Sequence, residues 1–191
     1  MSHLPQALSI RAHRRERTRT LPGDYWIPRA SGSFTHAIDI AAPPAAVWPW
    51  LVQMGAGRGG WYSYDFLDNR GQHSARALLP EYQSLSEGSL MPALPGVKDG
   101  FTVLEIEPGA SLVLGWGSPQ QPQPSTWAFE LTEPAPGRTR LVVRARGGTG
   151  YRPFGLPPAL SRGVIRVVHW IMQRKQLLTI KRRVERAYRV L

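Results

Sequence analysis

From Phe34 to Ile40 the run FTHAIDI alternates, placing Phe34, His36, Ile38 and Ile40 on one face, which is the pattern of a half-buried strand. Pro43 and Pro44 then suit a first helical turn, where a missing N–H is no loss. Val47, Trp48, Leu51 and Val52 recur at helical spacing until Gly55 ends the run, and Pro49 predicts a kink or a later start. A short second helix is expected through Asp65, Leu67 and Asp68, capped by Ser63 and stopped at Asn69-Arg70-Gly71. Beyond Glu81 the period becomes two. Strands are predicted at Ser89 to Pro92, Phe101 to Glu107, Ser111 to Trp116, Ser125 to Thr132 and Thr139 to Arg146. The turn signals between them are Pro95-Gly96, Pro108-Gly109, a Pro/Gln-rich link at 119–124 and Pro136-Gly137.

Parity assigns faces to this antiparallel meander. Leu104 and Ile106, Leu112, Leu114 and Trp116, Trp127, Phe129 and Leu131, and Leu141, Val143 and Ala145 point one way. Arg140, Arg144 and Arg146 point the other way, toward water on this reading. After a proline breaker at 153–158, the chain from about Ala159 to Tyr188 reads as one long helix of about 45 Å. Its apolar stripe is read as Val164, Val167, Val168, Ile171, Leu178, Val184 and Tyr188, facing the sheet. Six strands leave one sheet face needing cover, and this helix is the element long enough to supply it.

The strings Ala42-Pro43-Pro44, Val47-Trp48-Pro49-Trp50-Leu51, Gln53-Met54-Gly55 and Trp61-Tyr62-Ser63-Tyr64-Asp65, set between a first strand and a meander, carry a resemblance. The chain resembles bacterial members of the SRPBCC superfamily, the START-like or Bet v 1-like helix-grip proteins, over roughly Leu21 to Ala187. The resemblance implies an α+β helix-grip fold: a curved antiparallel β-sheet wrapped around a long C-terminal α-helix, with an internal hydrophobic cavity. It does not imply one activity, since the superfamily includes lipid carriers, polyketide cyclases and aromatases, and ring-hydroxylase subunits. The organisation expected is a basic, disordered tail over 1–20 and a single domain over 21–191.

Composition narrows the chemistry. At 191 residues with 42% hydrophobic content the chain can bury one substantial core. Having no cysteine, it has no disulfide, thiolate nucleophile or zinc-cysteine site. No uncharged apolar run approaches the roughly 18 to 20 residues that span a bilayer, and the chain reads as a soluble, cytoplasmic protein. A formal net charge of +11 comes mainly from arginines at the N-terminus, on the strands and at the C-terminus. Such a field attracts nucleic acid, anionic lipid or acidic partner proteins, or is simply a solvated surface. The expectation is no specific nucleic-acid partner and weak anionic-membrane contact, with the oligomeric state open.

Six aromatic residues fall between Trp48 and Phe66, more than a short helix needs for packing, and ligand pockets are walled in this way. Trp61, Tyr62, Tyr64, Trp116, Trp127, Phe129 and Met172 are the expected pocket lining. Tyr64, Asp65, His36 and His169 are the weaker candidates for proton transfer, because each brings a hydroxyl, carboxyl or imidazole near that lining. For Asp65 the plainer role is a carboxylate at a helix N-terminus. Gly55, Gly57 and Gly60 match G-x-G-x-x-G, but no buried strand precedes them and no full helix follows, so they read as a flexible link. No metal-ligand spacing and no cofactor motif is present, and none is expected. Three functions stay open: a binder or carrier of a hydrophobic small molecule, lipid, polyketide-like or aromatic; a cofactor-independent cyclase, aromatase or dehydratase using the same cavity; and association of the basic surface with membrane or nucleic acid.

Overall fold

The computed structural model describes residues 9–117, 124–148 and 158–190, with backbone alone for 158–165. The links expected at 119–124 and 153–158 lie almost wholly outside the described residues. Among the described residues four α-helices, α1 (Arg14–Thr18), α2 (Pro44–Val52), α3 (Asp65–Asp68) and α4 (Pro158–Tyr188), accompany six strands. The strands are β1 (Gly32–Ile40), β2 (Leu90–Pro92), β3 (Gly100–Glu107), β4 (Ser111–Trp116), β5 (Ser125–Ala135) and β6 (Arg138–Gly147). They form one antiparallel sheet in the order β1-β6-β5-β4-β3-β2, so the first strand pairs with the last and the meander completes the sheet. With α4 laid along it, this is the α+β helix-grip arrangement. No described helix is long and apolar enough to cross a membrane.

Alternation builds the main core on the inner face. Ile38 and Ile40, Leu112 and Leu114, Phe129 and Leu131, and Leu141 and Val143 meet α2 and α4 there. One assignment breaks: the register of β3 against β4 shifts between Val103 and Glu105, so Val103 joins the inner core while Leu104 turns outward to Val113 and Ala128. A bulge of this kind inverts parity on either side of itself. In α2, Pro43 occupies the N-cap and Pro44 the first turn, and Pro49 stays inside the helix. Arg58 donates to the carbonyls of Val52 and Met54 at 3.0 Å, satisfying acceptors that the helix end leaves free.

The outer face of the sheet is not a solvated arginine surface, and the N-terminal segment from residue 9 is not a loose tail. Residues 1–8 lie outside the described residues. Ile10, Ala12 and Leu21 are buried, Ala12 and Leu21 against Ala37 and Val142, and Arg11 bridges to His36 of β1. Polar ties then strap residues 11–27 across β6 and β5. Arg140 holds both oxygens of Glu16 at 2.7 and 2.9 Å, and Arg19 pairs with Glu130. Arg144, only 3% exposed, donates to Thr35 Oγ1 and to the carbonyls of Arg19 and Glu16, and contacts Asp24 at 2.5 Å. Arg146 donates to the Ile27 carbonyl and pairs with the other Asp24 oxygen. Gly23 makes the close crossing possible: at φ +77°, an added Cβ would lie 2.4 Å from Val113.

The orientation of α4 is the second departure. Its buried residues are Gln173, Gln176, Leu177, Thr179, Ile180 and Val184, whereas Val167, Val168, Ile171 and Tyr188 are exposed and Leu178 is half-buried. The side chain of Val164 is outside the described set. The inward stripe is His169, Gln173, Gln176, Ile180 and Val184, spaced 4, 3, 4 and 4 as one helical face requires. Its first half is polar because it faces a cavity instead of a packed core.

Candidate functional site

Between the inner sheet face, α3 and the first half of α4 lies a cavity of about 650 Å³. Its aromatic wall is one connected group. Trp61 stacks on Trp127 at 5.6 Å between centroids, Phe101 meets Trp61 at 5.6 Å and Trp127 at 5.4 Å, and Phe34 and Met172 complete the apolar lining. Offset and edge-on contacts at these distances hold rings rigidly without filling the space beside them.

A chain of hydrogen bonds fixes this wall to the helix. Trp127 Nε1 donates to Gln173 Oε1 at 3.1 Å, Gln173 Nε2 to Gln176 Oε1 at 2.7 Å, and Gln176 Nε2 to the Trp61 carbonyl at 3.0 Å. Trp61 Nε1 donates in turn to the Ala93 carbonyl. Every link is satisfied, so the two glutamines act as spacers that orient the tryptophans. The glycine segment that carries Trp61 is also held: Gly55 and Gly60 bond to each other in both directions, at 3.0 and 3.3 Å. At Gly60, φ is +78° and an added Cβ would sit 2.3 Å from Ser74 Oγ, so the expected flexible link is a closed turn.

Two side chains in the cavity lining carry buried polar atoms without partners. Asp68 is 8% exposed and neither carboxylate oxygen has a hydrogen-bond partner. The Ser63 hydroxyl beside it donates to the Met172 carbonyl at 3.1 Å and does not cap α3 as expected. Burial, with the charge of Asp65 adding to it, pushes the Asp68 carboxyl up to about 6. On α4, His169 stacks against Phe34 at 4.9 Å with its Nε2 buried and unpartnered. Burial, then the neighbouring His36 ring at 5.6 Å, brings His169 down to about 4, so it is neutral at pH 7.

Of the residues singled out from sequence, Trp61, Trp127, Met172 and His169 line the cavity. Tyr62, Tyr64, Trp116, Phe129, Asp65 and His36 do not. Tyr62, held at φ +60°, turns away to pack on Trp50 and accepts from Gln53 Nε2 at 2.7 Å, and burial pushes its hydroxyl up to about 12. Tyr64 is 40% exposed beside Lys175. Asp65 accepts from Ser74 Oγ at 2.5 Å and faces His73. Trp116 backs Phe101 edge-on at 5.1 Å, and Phe129 lies wholly in the core behind Trp127. His36 sits one layer behind His169, its Nε2 also buried without a partner, and burial lowers its pKa. Sequence reading places Asp68 only in a short acidic helix and gives no part in the cavity lining to Gln173 and Gln176. Their signal was the polar spacing His169, Gln173, Gln176 in register with Ile180 and Val184.

These two groups oppose each other in pH dependence. Asp68 titrates near 3.8 when unfolded and near 6 when folded, so its stabilising proton is present at low pH and is lost as pH rises from about 4 to 6. His169 titrates near 6.5 unfolded and near 4 folded, so its contribution is present above pH 6.5 and is lost as pH falls toward 4. In melting curves from pH 4 to 8, Asp68→Asn should gain roughly 3–6 °C at pH 7 and lose its gain at pH 4. His169→Phe should weaken the acid-side decline. An Asp68→Asn profile parallel to the parent's would show that the carboxyl titrates normally.

Among the described residues, no three His, Asp or Glu side chains converge as a metal site. No family model and no curated protein matches the chain. Solved structures do. One is a conserved protein of unknown function from Enterococcus faecalis, 16% identical, covering 80% of this chain and 71% of that one with a TM-score of 0.50. Another is a Thermobifida fusca protein solved by NMR, 18% identical, covering 81% of this chain and 93% of that one with a TM-score of 0.51. At these identities the likeness establishes the shared fold, a six-stranded antiparallel sheet closed by a long C-terminal helix.

Proposed function

We propose that this chain is a helix-grip protein of the SRPBCC kind that binds a hydrophobic, ring-bearing small molecule, as carrier or sensor. The observation that carries the reading is the aromatic wall of Trp61, Phe101 and Trp127 beside a 650 Å³ space whose lining also holds the unpartnered Asp68 and His169. A flat apolar body gains dispersion contact against the rings, and a hydroxyl or carbonyl on it would give the orphaned groups the partners they lack. The cavity falls in the size range of small-molecule sites.

The test is titration with a fluorescent apolar probe such as an anilinonaphthalene sulfonate. Trp127→Ala should weaken probe affinity by about tenfold while leaving the far-ultraviolet circular dichroism intact, since ring contact contributes on the order of 1 kcal/mol or more. Unchanged affinity in the folded variant would assign the rings to core packing alone. The cyclase or dehydratase reading uses the same cavity and rests on Asp68, a carboxyl near pKa 6 able to donate and recover a proton, in place of Tyr64, Asp65 and His36, which lie outside the lining. It requires an Asp68→Asn variant that still binds but no longer converts its substrate.

A further inference from the structure

The first half of α4 is amphipathic in the reverse sense, with polar residues turned inward and apolar ones outward. Val167, Val168, Trp170 and Ile171 are 58, 39, 49 and 40% exposed. Beside them α3 exposes Phe66 at 85% and Leu67 at 60%, and the residues leading into α3 are tied to α4 by the Ser63 to Met172 hydrogen bond and the Tyr64 to Lys175 contact. Large side chains so exposed mark a contact surface, because single scattered apolar residues do not gather on adjoining elements. Cations frame them: Arg166, Arg174 and Lys175 lie on the same helix, and the whole of α4 carries no acid before Glu185.

We propose that this surface docks on an anionic lipid bilayer, with Trp170, Ile171 and Phe66 entering the headgroup region and Arg166, Arg174 and Lys175 meeting lipid phosphates. Tryptophan and aliphatic side chains ringed by basic ones are the composition that lies in a membrane interface, and each cation near an anionic surface strengthens binding. Charge argues against a second copy as the occupant. A two-fold contact would set the same three cations against themselves with no acid on the helix stretch between them. Arg166, exposed on this surface, lines the cavity together with the exposed Ser31, Gly32 and Ser33, so docking would bring that part of the lining to the lipid surface. The proposal stands on this surface alone and does not require that the cavity be occupied.

Flotation of the full chain with vesicles tests it. Vesicles of phosphatidylcholine with about 30 mol% phosphatidylglycerol should carry the protein up, and pure phosphatidylcholine should carry far less. Trp170→Ser with Ile171→Ser, and separately Phe66→Ser, should each reduce partitioning by about tenfold, with melting temperatures unchanged because the side chains are exposed. Arg174→Glu with Lys175→Glu should remove the preference for the anionic vesicles. Absence of flotation by the parent, or equal flotation by all variants, would overturn the proposal. So would self-association of the parent in sedimentation velocity that Trp170→Ser with Ile171→Ser abolishes, since the surface would then belong to a second copy.

Discussion

Replacing Arg144 by alanine should destabilise the protein by about 3–5 kcal/mol, a loss of roughly 10 °C in melting temperature for a domain of this size. The guanidinium is buried on the outer sheet face and is the common partner of Thr35, the Glu16 and Arg19 carbonyls and the Asp24 carboxylate. Alanine leaves two carbonyls without their donor and Asp24 with Arg146 and the Leu21 N–H as its remaining partners. Lysine should recover only part of the loss, because a single ammonium cannot reach divergent acceptors as a planar fork does. Deleting residues 1–20 should cost a comparable amount, since it removes Glu16, Arg19 and the buried Ile10 and Ala12 together. Thermal melts decide it: a truncated chain with parental stability would make the segment an ornament on the sheet.

The second large effect separates the two faces of α4. Leu177→Ala and Ile180→Ala remove side chains with no exposure and should each cost about 2–5 kcal/mol through lost burial and the cavity left behind. Ile171→Ala, one helical face away, should stay within about 0.5 kcal/mol. Denaturant titration of the three variants checks this. Equal losses at Ile171 and Ile180 would mean that the helix is rotated from the orientation described, with its outer surface in the core.

Element order was legible in the sequence because the strands of the meander alternate and most are separated by proline-glycine turns. Pro136-Gly137 forms the β5–β6 turn, as its composition demands. Leu104 was misassigned because a bulge leaves no mark in hydrophobicity. The arginines of β6 were misread for a deeper reason. Parity says that Arg140, Arg144 and Arg146 leave the inner face, but whether water or another segment receives them depends on Glu16 and Asp24, more than a hundred residues away.

The orientation of α4 was illegible for the converse reason. Apolar periodicity finds a face that avoids water only where the opposite side is packed. Here the inner face lines a cavity and borders hydrogen-bonded glutamines, so the strongest apolar stripe was the one left outside. Tyr62 and Trp61 show the limit at single-residue scale: adjacent residues on a turn diverge, and the positive φ at Tyr62 that sends its ring away from the cavity follows from the closed glycine turn before it. Asp68 looked like the end of a short acidic helix, and only the third dimension brings α4 over it.

The strap across the outer face fixes an order of events. Its anchors Arg140, Arg144 and Arg146 lie on β6, the strand that also pairs with β1, so β1 and most of the strap lack their partners until residue 147 has been synthesised. The hydrogen bond from Arg144 to the Glu16 carbonyl closes a loop of 128 residues, among the most distant pairings the chain makes. The segment before the sheet is made earlier than the strand it needs and is therefore among the last parts to settle, and until then its share of the buried surface waits, uncovered, on the growing chain.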